Sequence, residues 1–182
     1  MPKLPAGFFV RPPLQVAPAL LNKVIVAGER SGRIIEVEAY GGQDDPGSHG
    51  WRGLTPRTEV MFGPPGHWYV YLSYGVHWCA NVVVETEGTC GAVLIRAIEP
   101  LTGLEQMRDL RRAARNDRDL TNGPGKLTQA LGIDGSLDGE LISDSELRII
   151  DDGVPPPKNP HRTERVGLSE GRGQDLRWRF TV

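Results

Sequence analysis

The chain has 182 residues, of which 38% are hydrophobic and 24% charged, a balance that excludes disordered and collagen-like classes. Its longest apolar runs are short, such as residues 92–95, which excludes a membrane-spanning helix, and two cysteines are too few for a disulfide framework. The formal net charge of −2 lacks the basic excess of a chain that coats nucleic acid, so any DNA-binding face must gather its arginines locally.

Residues 1–20 are proline-rich and read as an extended N-terminal segment without the basic and apolar regions of a secretion signal. Residues 23–27 and 33–40 predict two strands joined near Gly32. In the second strand Ile35, Val37 and Ala39 alternate with Glu36, Glu38 and Tyr40. Period-2 geometry therefore places Glu38 and Tyr40 together, on the face away from the core.

Residues 41–67, dense in Gly, Pro, Ser and Asp, predict a long loop, a feature that in compact domains is usually functional. Residues 67–73 and 77–84 form a predicted hairpin around Tyr74-Gly75. A three-residue loop, residues 74–76, pairs Tyr71 with Cys79 and brings Asn81 to the face of Tyr71; a two-residue loop reverses this. Residues 91–97 add a strand with Ala92, Leu94 and Arg96 on one face.

Thr102-Gly103-Leu104-Glu105 has the form of a capping box ahead of an apolar stripe of Leu104, Met107, Leu110 and Ala114. Arg108, Arg111, Arg112, Arg115 and Arg118 crowd this segment, interleaved with Glu105, Asp109, Asp117 and Asp119 as on a solvated face. A shorter helix follows Asn122-Gly123-Pro124, a small strand lies near residues 147–150, and a basic strand spans residues 176–181. Together these predict an α+β fold: one domain over residues 1–182, a curved antiparallel sheet with a protruding β-hairpin, flanked by helices.

Gly123-Pro124-Gly125-Lys126 fails as a phosphate loop, because Leu127 stands where a Ser or Thr is needed. His77 and Cys79 lack partners to complete a zinc site. No metal or cofactor is expected.

The dense run lies between Arg33 and Arg96: Glu38-Ala39-Tyr40, Ser48-His49, Thr55-Pro56-Arg57, Met61-Phe62, Tyr69-Val70-Tyr71, Tyr74-Gly75, Cys79, Asn81 and Leu94-Ile95-Arg96. In order and spacing it resembles the alkyladenine (3-methyladenine, or methylpurine) DNA glycosylases. Gly123-Pro124, Lys126-Leu127 and Arg165-Val166-Gly167 extend the match, while residues 171–175 fit it poorly.

The resemblance implies a base-excision-repair enzyme that flips alkylated or deaminated purines and hydrolyses the N-glycosidic bond without cutting the strand. It aligns Glu38 with the catalytic glutamate, and Arg96 and the backbone carbonyl of Val166 with groups that fix its water. It makes Tyr40, His49 and Tyr71 the walls of the base pocket and sets Asn81 against the purine edge. Tyr74 becomes the residue that enters the vacated stack, and Arg57 and Lys126 become phosphate contacts. The implied partner is double-stranded DNA with damaged purines, met by a cytoplasmic monomer. The opening Met1-Pro2-Lys3 also looks like a proline-nucleophile glycosylase, but Lys3 stands where that family carries an acid.

Overall fold

A computed structural model describes residues 2–182, so Met1 and any part for it in the opening Pro2-Lys3 motif lie outside the described residues. The strands are β1 (Val24–Ala27), β2 (Arg30–Tyr40), β3 (Trp68–Ser73), β4 (His77–Val83), β5 (Ala92–Thr102), β6 (Leu147–Ile150), β7 (His161–Thr163) and β8 (Arg179–Thr181). They make one curled sheet in the order β3-β4-β5-β2-β1-β6, with every described pairing antiparallel. The long β2 shares one edge between two partners: β1 pairs with residues 30–33, and β8, itself paired with β7, takes residues 36–38. The α+β class and the curved antiparallel sheet are as the sequence predicts.

Three helices cover the core: α1 (Pro13–Leu20), α2 (Leu104–Leu110) and α3 (Pro124–Leu131). The first corrects the expectation of an extended segment over residues 1–20. Pro13 opens the helix, where a missing N–H costs nothing, and Pro13, Val16, Ala17 and Leu20 are buried at helical spacing. That buried stripe outweighs Pro18 inside the helix. A short 3₁₀ turn, Ala6–Phe8, precedes it.

The capping box does not form. Gly103 takes the cap position in the left-handed region at φ 72°, where a side chain would run into Arg30. Thr102 instead donates to the carbonyl of Glu29 at 2.8 Å, fastening the turn between β1 and β2. The helix ends at Leu110, and two of the five arginines around it are held internally while Arg112, Arg115 and Arg118 are exposed. Arg108 pairs with Asp117 at 2.8 Å and with Glu105, while buried Arg111 donates to the carbonyls of Asp119 and Leu120.

Of three register shifts between β2 and β5, the two nearest Glu38 set the phase of the sheet there. Ile34 pairs with Ile98 and Glu36 with Ala97, which leaves Ile35 extra on β2; Val37 then pairs with Ile95, which leaves Arg96 extra on β5. The first bulge puts Ile34, not Ile35, into the core with Val37 and Ala39. Such bulges re-aim side chains locally. Among the described residues no helix is long and apolar enough to cross a membrane.

Candidate active site

Beyond its bulge, β2 turns Glu38 and Tyr40 to the side opposite the apolar core. Glu38 is nonetheless fully buried, because other elements close over it. Its Oε1 accepts the backbone N–H of Val166 at 2.7 Å, and its Oε2 accepts the Tyr40 hydroxyl at 2.8 Å and Nη1 of Arg96 at 3.3 Å. A buried carboxylate is tolerated only with such partners. The resemblance gives the carbonyl of Val166 a different partner, the water; the group that meets Glu38 is its amide.

Those three partners also line a cleft of about 680 Å³ that runs from the β3–β4 hairpin to the segment around Val166. His49, Tyr71 and Asn81 line it too, so every residue assigned to the base pocket meets there. The hairpin register decides this: Tyr71 pairs with Cys79 and Ser73 with His77, giving the three-residue loop of residues 74–76. Tyr69, Tyr71, Cys79 and Asn81 consequently share one face. The Asn81 amide donates to the Tyr69 carbonyl at 3.0 Å, which fixes its side chain in the wall.

The aromatic rings brace one another. His49 meets Tyr71 edge-on at 4.5 Å between centroids, and Tyr69 lies 5.4 Å from Tyr71. His49 Nδ1 shares a hydrogen bond with the Tyr69 hydroxyl at 2.9 Å. Burial, aided by the nearby Arg57 charge, lowers the His49 pKa to about 4, so the imidazole is neutral at pH 7. Burial likewise pushes the Tyr69 phenol up to about 12. For Tyr40, burial and then the Glu38 charge raise the phenol well above its ordinary value, so it stays a proton donor toward that carboxylate. Burial works against the charge of Arg96, but Glu38 and Glu36 more than offset it and leave its pKa raised.

Tyr74 stands at the hairpin tip, 87% exposed and at a left-handed φ of 50°. Arg57 is exposed at the rim, its guanidinium 5.5 Å from the Tyr71 centroid. Lys126 is bound to Asp119 at 2.5 Å and Asn122 at 2.8 Å.

The sequence reading missed several neighbours. Arg165 and Asp45 form a buried pair whose cation lies 4.7 Å from the Tyr40 centroid. Glu36 receives both Arg96 and Arg179. The position of Glu36, two residues before Glu38 on one strand face, was the available signal. For Asp45 the sequence carries none.

Residues 7–182 match the profile of the family described as Methylpurine-DNA glycosylase (MPG). Curated relatives, provisionally named 3-methyladenine DNA glycosylases, include one from Burkholderia cenocepacia (strain HI2424). It is 52% identical over 182 residues, covering 98% of this chain and 87% of the relative. Another from Chlorobaculum tepidum is 45% identical over 184 residues, with the same coverage. A third, from Methanoculleus marisnigri, is 46% identical over 181 residues, covering 96% of this chain and 93% of its own length. The chain belongs to the methylpurine-DNA glycosylase family, the hydrolases that act on DNA in repair.

Proposed function

We propose that the protein flips alkylated or deaminated purines, 3-methyladenine among them, out of duplex DNA and hydrolyses their N-glycosidic bond, leaving an abasic site in an uncut strand. The observation that carries this is the position of Glu38: its three hydrogen-bond partners, Tyr40, Arg96 and Val166, all line the aromatic cleft. A sugar drawn into the cleft meets a carboxylate behind a guanidinium and a backbone segment, groups able to orient a water.

In the reaction the C1′–N bond breaks and its electron pair leaves with the purine. Water attacks the oxocarbenium-like C1′, and Glu38 accepts the water proton. A deaminated purine, neutral in DNA, must take up a proton as its bond breaks, whereas a cationic alkylated purine departs as a neutral base. The rings of Tyr40, His49 and Tyr71 suit it, since a planar electron-poor base stacks on aromatic faces for about 1–3 kcal/mol. The neutral state of His49 supports this role, because it places no charge against a cationic base.

Asn81 acts by exclusion: fixed in the cleft wall, it crowds the 2-amino group of guanine. Tyr74 fills the gap left in the stack, the task of a rigid, exposed ring at a hairpin tip. Arg57 at the rim meets phosphate, and Lys126 reaches it by exchanging Asp119 for the backbone anion. No lysine lines the cleft among the described residues, which supports hydrolysis over a covalent strand-cleaving route.

The test is Glu38→Gln on a duplex carrying one 3-methyladenine. The variant binds an abasic-site analogue as the parent does and releases no base, and borohydride traps no covalent complex with either protein. Base release at the parental rate would remove Glu38 from the mechanism.

A further inference from the structure

We infer that Glu36 is a positioning residue for this hydrolysis, holding Arg96 in place so that its guanidinium touches Glu38 without closing on it. The inference rests on the reading of Glu38 as the base.

The distances rank the contacts. Nε of Arg96 lies 2.8 Å from Oε1 of Glu36, a normal hydrogen bond, whereas its Nη1 lies 3.3 Å from Oε2 of Glu38, beyond the usual range. Arg96 is therefore held by Glu36 first and by Glu38 second. The same Oε1 accepts Nε of Arg179 at 2.7 Å, so Glu36 is gripped from β8 as well. Because a guanidinium is planar, fixing Nε fixes the direction of both terminal nitrogens.

Without the Glu36 charge, the strongest site left for Arg96 is Glu38 itself. Arginine and a carboxylate prefer the two-bonded fork. A fork there would occupy the oxygen that must receive a proton from water. The bulge that leaves Arg96 unpaired on β5 points its side chain between the two glutamates, and Glu36 keeps it shared. Arg179 acts one step further out, through Glu36.

Single-turnover release of 3-methyladenine, affinity for an abasic-analogue duplex and melting temperature are measured for Glu36→Gln, Arg179→Gln, their double variant and Glu38→Gln. Glu36→Gln is expected to slow release about 10²-fold, with affinity held within about twofold, as for a misplaced catalytic group. Arg179→Gln slows it less, and the double variant is no slower than Glu36→Gln, since both act through one carboxylate. Parental release by Glu36→Gln beside an inactive Glu38→Gln overturns the inference alone. So does a loss of rate matched by losses of affinity and melting temperature, or additive effects in the double variant. Release by Glu38→Gln overturns the underlying mechanism.

Discussion

Arg165 grips Asp45 through two hydrogen bonds of 2.7 Å, with both side chains out of solvent. The same guanidinium lies against Tyr40 and Trp178 and donates to the Ala39 carbonyl at 3.0 Å. Since Val166 follows Arg165 in the chain, the pair sets where the amide that meets Glu38 comes to rest. Removing one partner strands a buried charge, so Asp45→Ala should lower folding stability by about 3–5 kcal/mol. Denaturant unfolding reads that loss. Base release measured well below the new melting temperature should fall too, because Val166 and Tyr40 lose their anchor; an unchanged rate would make the pair purely a matter of folding.

His49 offers a pH test. Its folded pKa of about 4 lies below the ordinary value of about 6.5, so between these values the unfolded chain binds a proton that the folded one does not. Its contribution is complete above about pH 6.5 and is lost as pH falls toward about 4. An NMR titration should place the His49 midpoint near 4, and His49→Gln should flatten the fall in stability across that window. Arg57→Ala should move the midpoint upward, as the smaller of the two causes is removed. A midpoint near 6.5 would contradict the packing of His49 between Tyr69 and Tyr71.

The hairpin tip offers a test that separates folding from the proposed gap-filling role. Tyr74 makes no described hydrogen bond through its side chain and sits where the left-handed backbone favours glycine. Tyr74→Gly should therefore keep or slightly raise the melting temperature. It should weaken binding to an abasic-analogue duplex by about 1–3 kcal/mol, the scale of one lost base–aromatic stack. Equal affinity of the two proteins would remove Tyr74 from the gap-filling role.

Which of the two loop lengths the hairpin adopts was settled only by the strand pairing, but the alternation along β2, with the shared face of Glu38 and Tyr40, and the face that each loop length gives Asn81 were readable from residue order alone. Both rest on a period of two, which local sequence expresses. The bulges at Ile35 and Arg96 were not readable, because an extra residue is decided by which strand lies opposite. Helix α1 escaped notice because its prolines mask a buried stripe that only the sheet beneath it reveals. The partnership of Asp45 with Arg165, 120 residues apart, has no local trace at all.

The division of one edge of β2 between β1 and β8 has a bearing on synthesis. Residues 36–38 leave the ribosome long before residues 179–181, and until the latter arrive the stretch of backbone that carries Glu38 has unpaired amides and carbonyls along that edge. An open edge of this kind invites pairing with a foreign strand. β8 thus joins the sheet only after residues 36–178 have been translated, and a chain that stops ahead of Arg179 would keep this edge open and be prone to aggregate.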